Sequence, residues 1–472
     1  MERTRPAASL TRRRFTGLAG AVTAGAAIGT RTSGANAAVE QPFAPMASGR
    51  SLRQPNILVI LADDLGWADL GSYGSPDIRT PYLDRLARSG VRYTQGYAAS
   101  AVCSPNRVAL YTGRHPGRIP GGLPEPIGEP NERDGIPPEH PTLASLIKAQ
   151  GYDTAMFGKW HGGYLPWFGP QKCGWDEFYG NYSGGLDYFS KYNHNGDYDL
   201  YDGEDETRDP RYYTDIITEK AVGFIGRRHN KPWLLNINFT TPHWPWEGPR
   251  DKAVSDELTE RMQAGEEGVL FHNDGGSLDT YREMVESLDR SIGRVVNTLR
   301  RTGQLRDTII LFAGDNGGER FSYQWPLSGN KGSVSEGGIR VPMILSWPGE
   351  IAPRQVDDTP VYTTDWTATF LELARAEPDP EYPLDGVSLV EHVFRRRGLG
   401  ERDMFWRMRD GRALRRGDLK YVRIDGTDHL YDLAADVREQ ADLATRRSAD
   451  LASLRQAWES VDASLLTYPE IG

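Results

Sequence analysis

The chain has 472 residues, of which 38% are hydrophobic, with 52 Gly and 31 Pro. That length and loop-rich composition describe one large α/β domain with an appendage, or two to three ordinary domains, and leave room for a deep active site. The 65 acidic and 55 basic residues give a formal net charge of -10 spread over a mixed surface, and no segment after the N-terminus is apolar enough to span a bilayer, so neither a nucleic-acid partner nor stable membrane insertion is expected.

The chain opens with Thr11-Arg12-Arg13-Arg14-Phe15, then weakly apolar residues over 18–28, then Ala35-Asn36-Ala37 as a small-x-small cleavage site. The order resembles a twin-arginine signal over residues 1–37, which implies the twin-arginine export machinery as a partner and a periplasmic, cell-surface or secreted product. Residues 38–53 read as a linker.

A continuous apolar run over 56–62 ends at Asp63-Asp64, as expected of a strand buried on both faces of a parallel sheet. A helix is predicted from Pro81 to a stop at Gly90, and another over 142–149. Strands are predicted at 154–157, 233–239, 308–313 and 343–347, with helices at 215–227 and 281–302 between them, so the fold class is a layered α/β sheet. Past Asp385-Gly386 the texture changes to short segments at 404–408, 413–414, 419–424 and 430–433, followed by a helix over 448–465. The division expected is 54–398 for the catalytic domain and 399–472 for a small C-terminal α+β subdomain.

Two acidic pairs end apolar strands, Asp63-Asp64 and Asp315-Asn316. The C-terminal ends of parallel strands form the ligand crevice, where both pairs can converge. Three carboxylates and an amide oxygen make a hard, all-oxygen site suited to Ca²⁺ first and Mg²⁺ second; taken singly, each pair reads as a turn or a helix cap. The two cysteines, Cys103 and Cys173, are an even pair that an oxidising compartment can join as a disulfide. Tryptophans 67, 160, 167, 175, 244, 246 and 325 lie near these motifs and suit either sugar and aryl rings or core packing.

The stretch Cys103-Ser104-Pro105-Asn106-Arg107, continued by Leu110-Tyr111-Thr112-Gly113-Arg114, closely resembles the type I sulfatases of the alkaline-phosphatase-like superfamily. The resemblance runs from 55 to about 443 and takes in Gly158-Lys159-Trp160-His161, Pro242-His243-Trp244-Pro245, Gly314-Asp315-Asn316-Gly317, Lys331-Gly332 and Glu336-Gly337-Gly338-Ile339-Arg340. It implies a large mixed, mostly parallel sheet flanked by helices, with a smaller antiparallel sheet at the C-terminus. It also implies a sulfuric ester hydrolase acting on an aryl or carbohydrate sulfate.

By the same resemblance, a formylglycine-generating enzyme oxidises Cys103 to an aldehyde, before folding and export. One hydroxyl of its hydrate attacks sulfur, and the second lets the covalent sulfate leave by re-forming the aldehyde. Asp63, Asp64, Asp315, Asn316 and the modified Cys103 are the implied metal ligands. Arg107 holds the diol, Lys159 binds a sulfate oxygen, His161 takes the diol proton, His243 serves the sulfate and leaving group, and Lys331 is the second donor to the bridging oxygen. In an extended segment Lys159 and His161 share one face. Cys103 disulfide-bonded to Cys173 is the rival, but Pro105 and Arg107 have no part in a disulfide, and Cys173 is read as a free structural cysteine. Two other functions remain: a phosphoester or phosphonate hydrolase of the same superfamily, and a catalytically silent binder of sulfated glycans.

Overall fold

The computed structural model describes residues 52–469. The export signal over 1–37 and most of the linker over 38–53 lie outside the described residues. Among the described residues fifteen strands follow in chain order. They are β1 (Asn56–Ala62), β2 (Val91–Tyr97), β3 (Asp153–Gly158), β4 (Glu177–Gly180), β5 (Tyr201–Asp202), β6 (Asp205–Glu206), β7 (Trp233–Phe239), β8 (Thr308–Gly314) and β9 (Arg340–Ser346). Then come β10 (Gln355–Asp357), β11 (Val361–Tyr362), β12 (Asp403–Arg407), β13 (Gly411–Arg416), β14 (Leu419–Ile424) and β15 (Thr427–Asp432).

The large sheet runs β10-β2-β9-β8-β1-β7-β3-β4-β5-β6, with β11 also on β2. From β8 to β4 every pairing is parallel, and β9 is antiparallel to both β8 and β2. Side-chain alternation divides the apolar run of β1 between two cores: Ile57, Val59 and Leu61 face one way, Leu58, Ile60 and Ala62 the other. Helices Cys103–Thr112, Leu143–Ala149 and Thr363–Ala374 cover the first face, and helices Pro81–Arg88, Tyr213–Gly226 and Leu278–Arg301 the second. Helix Leu278–Arg301 shows why: Tyr281, Met284, Val285, Leu288, Ile292, Val295 and Leu299 form one buried stripe at helical spacing. Burying each such aliphatic side chain contributes about 1.5–3 kcal/mol.

Strands β12–β15 make a separate antiparallel sheet. Met404, Trp406, Ala413 and Val422 on one side pack against Tyr97, Ala99, Ala109 and Ile339 of the large domain. Phe405, Leu414, Tyr421 and Leu430 on the other pack against Leu454 and Trp458 of helix Ser448–Asp462.

Several elements escaped the sequence pattern. Helix Cys103–Thr112 is buried at all ten positions, so it carries no polar stripe. Helix Lys252–Gln263 buries only Ser255 and Leu258, so it carries no apolar one. Strand β2 has a register shift between Tyr93 and Gly96, which breaks its alternation. Strand β9 begins at Arg340, ahead of its predicted start, because it pairs with β2 at Val341 and Arg340 after its ladder to β8 has stopped at Met343, where Pro342 needs no amide donor. Among the described residues, no helix is long and apolar enough to cross a membrane.

Candidate active site

Four adjacent parallel strands, β8-β1-β7-β3, end along one edge and deliver most of the candidate residues. The register pairs Ala62 with Gly314, so Asp63 and Asp315 emerge side by side. The ladder continues past the strands, with Asp315 N donating to Ala62 O (3.0 Å), Asp63 N to Thr241 O (3.3 Å) and Lys159 N to Asn238 O (2.9 Å). Asp64 adopts a left-handed backbone (φ 59), and its amide donates to Asp315 Oδ1 at 3.2 Å. His243 follows β7 within the turn closed by His243 N donating to Thr240 O at 2.8 Å.

Cys103 begins helix Cys103–Thr112, at the end where unpaired amides and the macrodipole favour negative charge. Arg107 stands one turn on and so shares its face. Pro105 occupies the first turn, where a missing N–H costs no hydrogen bond. The Cys-x-Pro-x-Arg spacing therefore has a helical reason that the sequence reading did not contain.

Inside the cluster each carboxylate meets a cation. Arg107 Nε and Nη2 donate to Asp315 Oδ2 at 3.1 and 2.8 Å, and Nη2 lies 3.6 Å from Asp63 Oδ1. Lys159 Nζ donates to Asp63 Oδ2 at 2.6 Å, and Lys331 Nζ to Asp64 Oδ2 at 2.7 Å. His243 Nε2 lies 3.6 Å from Asp64 Oδ2, and Asn316 Nδ2 donates to Asp64 Oδ1 at 2.8 Å. Asp63, Asp64 and His243 offer ligand atoms within 4.8 Å of one another. Asp63 Oδ1 and Asn316 Oδ1 are buried without a hydrogen-bond partner, which fits oxygens kept for a cation.

Burial, reinforced by Asp315, raises Asp63. Burial also acts to raise Asp64, but Lys331, His243 and Lys159 outweigh it and hold this carboxylate far down. Burial raises the Cys103 thiol, with Lys159 and Lys331 opposing. Both histidines are pushed well down by burial, His161 further by Lys159 and His243 further by Lys331.

The expectation that Lys159 and His161 share the face of an extended segment is not met. β3 ends at Gly158, and His161 has φ 51, so the chain turns between the two residues. His161 Nε2 instead lies 2.9 Å from Ile127 O, while its Nδ1 is buried without a partner. Both imidazoles lie against Gly184-Gly185: a Cβ at Gly184 would stand 2.8 Å from His161 Cε1, and one at Gly185 2.7 Å from His243 Cε1. The cysteines are both free, and Cys173 is buried in the apolar core, its carbonyl accepting from Thr142 Oγ1 at 2.5 Å. Of the tryptophans, Trp244 packs on His243 with ring centroids 4.2 Å apart, Trp160 stacks on Tyr111 in the core, and Trp167 and Trp325 are exposed.

Sequence reasoning missed three features here. Gly184-Gly185 carries no side chain and so left no chemical signal. Glu319, whose Oε2 lies 3.6 Å from Lys331 Nζ, left no signal beyond its closeness to Asp315-Asn316. Asn238, which donates to Lys159 O and to the Tyr111 hydroxyl at 2.9 Å each, did leave one: it is a polar residue in a strand buried throughout.

The Sulfatase family profile matches residues 55–376, and every residue of this cluster falls within that span. The chain belongs to the sulfatase family. It is 33% identical over 386 residues to N-acetylgalactosamine-6-sulfatase of Sus scrofa, covering 75% of this chain and 68% of that protein. It is 31% identical over 364 residues to arylsulfatase J of Mus musculus, covering 74% of this chain and 57% of that one. The crystal structure of Ps i-CgsB in complex with k-i-k-neocarrahexaose superposes with a TM-score of 0.77 at 30% identity, over 86% of this chain and 92% of that one.

Proposed function

We propose that this sulfatase hydrolyses sulfate monoesters of sugars or phenols to the free hydroxyl and inorganic sulfate. Its nucleophile is the formylglycine form of Cys103, and its metal is Ca²⁺ held by Asp63, Asp64, Asp315 and Asn316. The observation that carries the reading is the one-to-one pairing of three cations, Arg107 and Lys159 fully buried and Lys331 15% exposed, with three buried carboxylates beside Cys103. Arg107, Lys159 and Lys331 balance Asp63, Asp64 and Asp315, so a divalent cation, the monoanion of a sulfate ester and one ionised hydroxyl on residue 103 are held together without uncompensated charge. Bound there, Ca²⁺ supplies positive charge that favours an ionised nucleophile and polarises the sulfuryl oxygens.

The histidine contacts support a division of proton roles. Ile127 O accepts from His161 Nε2–H, which leaves Nδ1 as a buried, unpartnered lone pair. Kept neutral by burial and by Lys159, this imidazole is a base for a hydroxyl on residue 103. Trp244 O accepts from His243 Nδ1–H at 2.8 Å, so His243 Nε2 donates only as an imidazolium, which burial and Lys331 disfavour. Lys331, held protonated by Asp64, is the ready donor to the leaving oxygen, and His243 orients the group. Arg107 and Lys159 neutralise charge growing on the transferring sulfuryl group. Modification by a formylglycine-generating enzyme comes before folding, since Cys103 is 1% exposed, and the twin-arginine route then exports the folded product.

The test is sulfate release from aryl sulfates and sulfated sugars, alongside the mass of the peptide carrying Cys103. An aldehyde mass, with turnover that vanishes in Cys103→Ala, supports the reading. Full turnover in Cys103→Ala overturns it.

A further inference from the structure

The segment that presents Lys331 is closed at its neck by a residue of the C-terminal subdomain. Glu439 Oε2 accepts from Ser328 Oγ at 2.7 Å and from Glu336 N at 2.7 Å, so one carboxylate oxygen ties both ends of segment 328–336. Gly337 N donates to Ser328 O at 2.6 Å, which completes the neck. Inside the segment, Gly332 N donates to Ala101 O at 2.9 Å and Lys331 N to Gly318 O at 3.1 Å, which directs the ammonium toward Asp64.

The other oxygen of Glu439, Oε1, accepts from Lys420 Nζ at 2.8 Å. Lys420 lies on β14 and also donates to Glu336 Oε1 at 2.9 Å. The side chains of Lys420, Glu336 and Glu439 are 0%, 0% and 3% exposed. The Glu336 carboxylate also accepts from the Tyr97 hydroxyl at 2.6 Å and lies 3.3 Å from Arg340 Nη1. A charge-assisted contact this deep keeps its strength, and breaking it leaves a buried ion unpaired. Glu439 itself sits in a left-handed turn (φ 53) after β15, which aims its side chain back into the large domain.

We propose that Glu439 is a positioning residue for Lys331, so that the C-terminal subdomain sets the geometry of the leaving-group donor without touching substrate. The proposal rests on the catalytic role given above to Lys331. A clamp of this kind acts on turnover: the displaced ammonium still pairs with Asp64, but no longer at the point where the leaving oxygen needs a proton.

The experiment is a double-mutant cycle on the exported, modified protein, with sulfate release as readout, comparing an aryl sulfate whose leaving group needs little protonation with a sugar sulfate whose leaving group needs it fully. Glu439→Gln is expected to lower kcat for the sugar sulfate about tenfold or more, with KM little changed and a much smaller effect on the aryl sulfate. In a Lys331→Ala background the same change is expected to cost nothing further. Ser328→Ala, which removes one contact and leaves the Lys420 pair intact, is expected to act in the same direction to a lesser degree, and serves if Glu439→Gln does not fold. Equal losses in the presence and absence of Lys331, or equal losses on both substrates, overturn the positioning role and leave Glu439 a structural residue. Wild-type turnover in Lys331→Ala alone overturns instead the role of Lys331 on which the proposal rests.

Discussion

Arg107→Leu tests whether the site is an assembly of buried charges that a metal completes. Arg107 donates twice to Asp315 Oδ2 and once to Lys159 O at 3.2 Å, with both charged side chains 0% exposed. Leucine fills part of the volume but leaves the Asp315 carboxylate with the Asp64 amide as its remaining donor. Removing one member of a buried ion pair costs about 3–5 kcal/mol. The Lys159 carbonyl adds little to that, because Asn238 Nδ2 still donates to it at 2.9 Å. Urea unfolding in chelator should show the full deficit, and saturating Ca²⁺ should shrink it by restoring the lost positive charge. Turnover of an aryl sulfate should fall about 10²–10³-fold, as when one preorganised donor to a developing anion is removed. A loss below about 0.5 kcal/mol in chelator, within the range of an ordinary surface substitution, refutes the charge accounting. So does a deficit that calcium leaves unchanged.

Asp315→Ala should abolish sulfate release and calcium-dependent protection against unfolding together, as titration calorimetry and thermal scans check; retained calcium binding counts against the ligand set. Gly185→Ala would bring a Cβ within 2.7 Å of the His243 ring, so kcat should drop about 10²-fold with little change in melting temperature, the scale expected of a misplaced catalytic group. His115 gives a pH signature away from the cluster: burial lowers it to about 4, with its Nε2 3.0 Å from Phe405 O. The folded state keeps this imidazole neutral, so its contribution is complete above about 6.5, the unfolded value, and is lost as the pH falls toward 4. His115→Gln should therefore flatten the acid limb of a stability profile between those values, and an unchanged limb rejects the assignment.

The strands that carry the two acidic pairs were legible because burial on both faces writes itself as an uninterrupted apolar run, as in 56–62, ended abruptly by Asp63-Asp64. The motif around Cys103 was legible as a pattern, but not as a helix. A helix buried on every side has no period to detect, and the reason for Arg107 four positions on emerged only with the helix. Lys159 and His161 show the limit of alternation, which holds only while the backbone stays extended; here the strand stops one residue short of Lys159. Glu439 was illegible for another reason. It lies in a polar loop after the last strand of the other sheet, and of the donors that hold it only Lys420 is near in the chain, Ser328 and Glu336 lying more than a hundred positions earlier.

The order of strands in the large sheet also has a consequence in time. Arg107 is separated from its partner Asp315 by 208 residues, because β8 lies beside β1 in space but far behind it in the chain. At about 5–20 residues per second of synthesis, that gap holds the pocket open for roughly 10–40 s after the segment around Cys103 has been made. The modification of Cys103 proposed above would have that interval to take place on a chain whose Asp315 strand has not yet been translated.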